Sequence, residues 1–323
     1  MRKLCAIIAL VVGAGLLPGS ALAQSYPNRP VRIIVPFVAG GAVDLLARLM
    51  GTKLTESFGQ PVIIENRAGA GGNAGAEAVA KAAPDGYTIL LTVNGLAISP
   101  SVYRKLAFDV EKDFIPVTQL LSSQLLLVAS PKLPATSTQE LIALAKSKPG
   151  SLNYGSTGPG NPLSLTMEML KHAAGIEVQP VPYRGDAPLN AALIAGEVDM
   201  AVVPMATALG NIEGGRLRAL AICGARRSPA LPNVPTVAEG GLPGFDSTSW
   251  QGFFVPANTP REVVLRIQRD SAKALAAPDV VERVKSFGAE PLGSTPEEFA
   301  ARFKADIAKF AKIVKDANIP AQD

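Results

Sequence analysis

Two glycine-containing stretches, Phe37-Val38-Ala39-Gly40-Gly41-Ala42 and Gly155-Ser156-Thr157-Gly158-Pro159-Gly160, share a layout suited to holding an anion. Each follows an apolar run of strand character and leads into a run with helical spacing. The first N–H groups of a helix lack partners inside it, and the positive end of the helix dipole lies at the same place. An anion is stabilised there without any cationic side chain, and glycine lets it approach the backbone closely. Facing one another across a cleft, the two loops would clamp a carboxylate. The same spacing fits two ordinary strand-to-helix turns, and short motifs alone do not separate the two readings. Asp44 falls in the first turn of the first helix, where it either stabilises the dipole, bonds a ligand amine or holds the loop.

Other constellations supply little. Gly69-Ala70-Gly71-Gly72-Asn73-Ala74 matches a dinucleotide-binding G-x-G-x-x-A, but the next strand pattern ends in Asn94-Gly95 with no acidic residue for a ribose hydroxyl. His172 is the sole histidine, set in a helical run, and Gly155-Ser156 lacks the G-x-S-x-G elbow. One histidine and Cys223 do not make a metal site. No catalytic residue, no cofactor and no metal are expected, and the reading is a binding protein, not an enzyme.

The elements that would position these loops alternate between strand and helix from Val31 onwards, the pattern of an α/β protein built on mostly parallel sheets. Residues 31–37, 61–65 and 87–93 read as strands, with helical runs at 42–58 and 73–83 between them. Residues 114–130 form an extended apolar stretch longer than one ordinary strand, suited to crossing between two domains. Further strands are expected at 152–156, 178–183, 198–203 and 217–223, with helices at 137–147, 163–173, 187–195 and 206–214. Residues 248–255 look like a returning crossing strand. Ser137-Thr138-Gln139-Glu140, Thr259-Pro260-Arg261-Glu262 and Thr295-Pro296-Glu297-Glu298 each spell a capping box, the last two with proline at the first helical position. Domain 1 is thus expected at residues 24–121 plus 243–323 and domain 2 at 122–242, joined by a hinge of two strands with a cleft between them.

Arg2 and Lys3, an apolar run over residues 4–18 and Ala21-Leu22-Ala23 make a signal peptide cleaved after Ala23. The run is shorter than a membrane span, so a periplasmic protein is expected. Its mature form keeps Cys223 as the only cysteine, and its formal charge falls from +4 to +2 once Arg2 and Lys3 are gone. Charges of both signs are interspersed and aromatic residues make up 5%, which argues against nucleic acid.

Tyr26-Pro-Asn-Arg-Pro-Val-Arg-Ile-Ile-Val-Pro-Phe, Ala39-Gly-Gly, Ile64-Glu-Asn-Arg and Gly69-Ala-Gly-Gly-Asn closely resemble the receptors of tripartite tricarboxylate transporters, the Bug or TctC-like family. Ala83-Pro-Asp-Gly-Tyr-Thr, Leu152-Asn-Tyr-Gly-Ser, Val181-Pro-Tyr-Arg-Gly, Leu217-Arg-Ala-Leu-Ala and Val234-Pro-Thr-Val-Ala-Glu continue the match in order. The resemblance implies a two-lobed type II periplasmic-binding-protein fold that closes on a small carboxylate. It places the ligand between the loops carrying Phe37, Ala39, Gly40, Gly41 and Asp44, and Ser156, Thr157, Gly158 and Ser164. Asn94 and the loop of Tyr183, Gly185 and Asp186 should line the same cleft. The implied partner is a two-component membrane permease, or in some relatives a sensor kinase, and a monomer is expected. Leu96, Ser164 and Val203-Pro204 stand where the family pattern carries more polar residues. The expected ligand is therefore a carboxylate with a weakly polar or aromatic tail in preference to citrate, aspartate or glutamate.

Overall fold

In the computed structural model, which describes residues 26–158 and 160–322, β1 (Val31–Val35) lies between two parallel neighbours, β2 (Val62–Asn66) and β3 (Thr88–Val93). Four of its five residues are buried, as a strand covered on both faces requires. Ile33 and Val35 face a core built with Leu46, Met50 and Leu54 of α1 (Ala42–Phe58) and Ile267 of α8 (Arg261–Leu275). Ile34 points the other way, towards Val79 of α2 (Asn73–Ala80) and Phe299 and Phe303 of α10 (Pro296–Asp316). The expected leader and its cleavage site lie outside the described residues, as does Pro159 of the second glycine loop.

The first sheet has the strand order β11-β4-β10-β3-β1-β2, where β4 is Phe114–Ser123, β10 is Ser249–Pro256 and β11 is Ala289–Pro291. The second has the order β7-β6-β8-β5-β9, made of β5 (Leu125–Ala129), β6 (Asn153–Ser156), β7 (Gln179–Pro182), β8 (Met200–Pro204) and β9 (Arg218–Ile222). Each of its faces carries a core: Leu125, Leu127 and Ala129 on one side, Leu126 and Val128 on the other. The long apolar stretch at 114–130 is thus two strands, with Gln124 alone between the last residue of one sheet and the first of the other. The chain returns between β9 and β10, where β10 pairs antiparallel with both β3 and β4.

Helix starts show how far local signals carry. Thr295 accepts from the Glu298 N–H and Glu298 reaches back to the Thr295 N–H, a complete capping box with Pro296 in the first turn. Ser137 caps α4 (Thr138–Ser147), but Glu140 turns to Thr136 and does not close the box. The box expected at Thr259 is absent: its hydroxyl donates to the Pro256 carbonyl and Pro260 occupies the N-cap of α8. Three elements lacked a clear sequence signal: α3 (Gly95–Val102), which contains Pro100, α9 (Pro278–Ser286), and β11, only three residues long. On β10, Trp250 is 1% exposed, donates its indole N–H to Asp306 at 2.7 Å, and packs edge-on to Phe299.

Candidate functional site

Between the two sheets lies a cleft with a cavity of about 800 Å³. Its walls are the β1–α1 loop, a short turn at Ala70–Gly72 after β2, the loop from β6 to α5 (Pro162–Ala174), and the turn from β7 to α6 (Asp186–Ala195). Its floor includes Ser249 and Gln251 of the returning strand β10. Ser123 and Leu125, on either side of Gln124, line the cleft too, so both crossings between the sheets reach the site.

The β1–α1 loop ends at Gly41, the N-cap of α1, which has extended backbone and no side-chain cap. Nothing among the described residues bonds the N–H groups of Gly41 and Val43. Asp44, 2% exposed, does not face the cleft. Its carboxylate accepts from the Gly40 N–H (2.9 Å), from Arg48 (2.9 and 3.0 Å) and from Asn66 (3.0 Å). Asn66 also donates to the Phe37 carbonyl at 3.1 Å, tying the loop to the end of β2. Burial would raise the Asp44 pKa, but the bonds from Arg48, Gly40 and Asn66 outweigh it and hold it below the usual carboxylate range. Asp44 holds the loop and has no lone pair left for a ligand amine.

The β6–α5 loop is different. Asn161 caps α5 by accepting from the Leu163 N–H at 3.0 Å. Ser164 Oγ accepts from the Thr157 N–H (3.0 Å) and bonds Ser156 Oγ (2.9 Å), and Ser156 Oγ accepts from the Gly158 N–H (3.3 Å). The N–H groups of Thr157, Gly158 and Leu163 on this side are thus already engaged. What the loop offers is Thr157 Oγ1, buried and without a partner.

From α6, Asp186 reaches across and accepts from the Ala42 N–H at 3.3 Å. Beside it the two sides meet closely: a Cβ on Gly185 (φ +111) would stand 2.4 Å from Val38 Cγ2. Tyr103 closes another edge, where a Cβ on Gly160 would lie 2.5 Å from its ring.

Of the residues expected at the site, Phe37, Gly41, Thr157, Gly158, Tyr183, Gly185 and Asp186 line the cleft. Ala39 and Gly40 sit on the exposed rim. Asp44, Ser156 and Ser164 stand behind the loops, and buried Asn94 accepts from Ser249 Oγ at 2.8 Å. Leu96 packs in the core with Ile98 and Phe254, away from the cavity, so it does not set cleft polarity. Val203 is likewise in the core, while Pro204 lines the cleft. The Ala68–Gly72 turn, Tyr103, Ser249 and Gln251 were not anticipated. The polar, apolar, polar alternation Ser249-Trp250-Gln251 was the available signal, since it turns two polar residues to one face of a strand.

The model of the tripartite tricarboxylate transporter family receptor, TctC, matches residues 46–319. The chain belongs to that family. Among TctC-family relatives, BugT of Bordetella pertussis is 35% identical over 318 residues, covering 98% of each chain. An R. palustris protein solved with adipate is 35% identical, with a TM-score of 0.89 over 92% of this chain and 100% of that one. MatC from Rhodopseudomonas palustris, with bound malate, is 33% identical, with a TM-score of 0.86 over 90% of this chain and 100% of that one. The periplasmic binding protein BugD is 33% identical, with a TM-score of 0.88 over 92% of this chain and 100% of that one, so this receptor has the two-sheet α/β fold of such proteins. No described helix is long and apolar enough to cross a membrane.

Proposed function

We propose that this receptor is exported, cleaved after Ala23, and captures a small carboxylate in the periplasm for delivery to a tripartite tricarboxylate-type permease. The observation that carries the reading is the uncapped first turn of α1, opening into a cleft between two sheets. Residues 24–121 plus 243–323 form one lobe and 122–242 the other, and they close by bending at Gln124 and at the return into β10. The carboxylate lies on the N–H groups of Gly41 and Val43 with Thr157 Oγ1 opposite, and the tail lies against Phe37, Tyr103 and Leu163. Two solved relatives hold adipate and malate, which supports the ligand class. Closure follows only if the ligand binds the closed form more tightly than the open one.

The test is a thermal-shift screen of residues 24–323, unfolded and refolded to strip co-purified ligand, against a broad carboxylate panel. A ligand at about 100 times its dissociation constant adds about 2.7 kcal/mol of stability, a shift of several degrees for a chain of this size. Refolded protein that no carboxylate stabilises would sink the reading.

A further inference from the structure

Among the described residues lining the cleft, Asp186 is the one acid and Arg184 the one base. Arg184 is exposed and makes no ion pair with Asp186 or any other acid among the described residues. The Asp186 carboxylate makes one hydrogen bond, the 3.3 Å contact from Ala42. An ionised carboxylate has about four acceptor positions, so most of its capacity is unmet. The protein around it raises its pKa by desolvation, which the Ala42 N–H offsets only in part. Asp186 is half-buried at the cleft wall, where a positive partner would stabilise its charge, and no cation among the described residues pairs with it. A second acceptor in the same cleft is also unmet: Gln251 is 5% exposed and its Oε1 has no partner.

Position narrows the ligand further. Asp186 Oδ2 bonds the same first turn of α1 that offers the free N–H groups, so a carboxylate placed there lies next to the Asp186 carboxylate. Two like charges in contact are unfavourable unless the ligand brings its own cation between them. That cation must sit within a bond or two of the ligand carboxylate. Beyond this pair the lining includes Phe37, Val38, Tyr103 and Leu163, with the exposed Arg184 as the one cation among the described lining residues.

We propose that the cleft selects an α-amino acid, its carboxylate on the first turn of α1 and its ammonium on Asp186. The assignment deepens the receptor reading above and rests on it. It also sets this chain apart from the relatives solved with the dicarboxylates adipate and malate.

The experiment is calorimetric titration of stripped, refolded protein with the natural amino acids and with their deaminated counterparts, such as phenylalanine against 3-phenylpropionate. Wild type should bind the amino form of at least one pair tighter by about tenfold to a hundredfold, the range of one charge-assisted hydrogen bond. Asp186→Asn, whose side-chain oxygen can still accept from Ala42, should lose that preference while keeping its circular dichroism and melting midpoint. Deaminated carboxylates binding as well as the amino acids, or a preference unchanged in Asp186→Asn, would overturn the proposal and leave the receptor reading intact. Folded wild type that binds neither member of any pair would overturn the proposal, and the broad carboxylate panel would then decide the receptor reading.

Discussion

The loops before α1 and α5 follow one plan and finish in different states. Both leave a strand, turn through glycine and enter a helix. At α5 the chain answers its own donors: Asn161, Ser164 and Ser156 take up the N–H groups of Leu163, Thr157 and Gly158. At α1 the nearest acid, Asp44, is drawn beneath the loop by Arg48 and Asn66, and the N-cap is a glycine. A helix start becomes a place for a ligand only where the chain withholds its own acceptors. One loop meets most of its own donors, and the other leaves the N–H groups of Gly41 and Val43 open.

The largest expected effect comes from forcing the two sides apart. Val38→Phe adds bulk where Gly185 already meets it, and overpacking of this kind costs about 1–3 kcal/mol. Ligand affinity should fall by up to about a hundredfold with the unliganded melting midpoint nearly unchanged; unaltered affinity would show that this contact plays no part in closure. Next is Asp44→Ala, which removes the support beneath the open loop and should cost about 2 kcal/mol in urea unfolding. The folded-state pKa of Asp44 lies below its ordinary 3.8, so its contribution is complete above that value and is lost as pH falls through the lower one. The gap between wild type and Asp44→Ala should therefore be full at neutral pH and close in acid.

Asn161→Ala strips the cap from the self-satisfied side and should cost about 1 kcal/mol of stability. If it instead abolished binding with no change in stability, the contrast between the loops would be wrong. The smallest stability change is the sharpest test. Gly41→Ser gives α1 the cap it lacks, which should add a few tenths of a kcal/mol once Asp186 Oδ2, 3.1 Å from the new Cβ, gives way, while weakening ligand binding, because the new hydroxyl takes the Val43 N–H that a ligand would use. Stabilisation accompanied by tighter binding would contradict the assignment of the open loop.

The sequence made the places of both loops legible, because glycines fall where a β-branched run gives way to helical spacing. The difference between them was not. It depends on Ser156 and Ser164 turning their hydroxyls to each other, and on Asn161 bending back over Leu163. The Asp186–Ala42 contact joins residues 144 apart in sequence, and only the packing of one sheet against the other brings them together. Capping shows the same limit on a smaller scale. Thr295 and Thr259 head nearly identical tetrapeptides, but the Thr259 hydroxyl finds the Pro256 carbonyl first and the box never forms. The apolar 114–130 stretch was read correctly as extended, and the single residue at which it changes sheets carries no local mark.

Trp250 is the chain's sole tryptophan, and its indole is enclosed by Phe254, Phe299, Phe303 and Asp306, all belonging to the first sheet and its helices. Its emission is therefore a probe of half the molecule. The second sheet and its loops contribute only the tyrosines Tyr154 and Tyr183 to that signal, whereas far-ultraviolet circular dichroism registers both halves together. In a denaturant titration, superimposed traces would mean that the halves melt as one cooperative unit. A fluorescence midpoint displaced from the dichroism midpoint would mean that one half persists, spectroscopically silent or alone, after the other has gone.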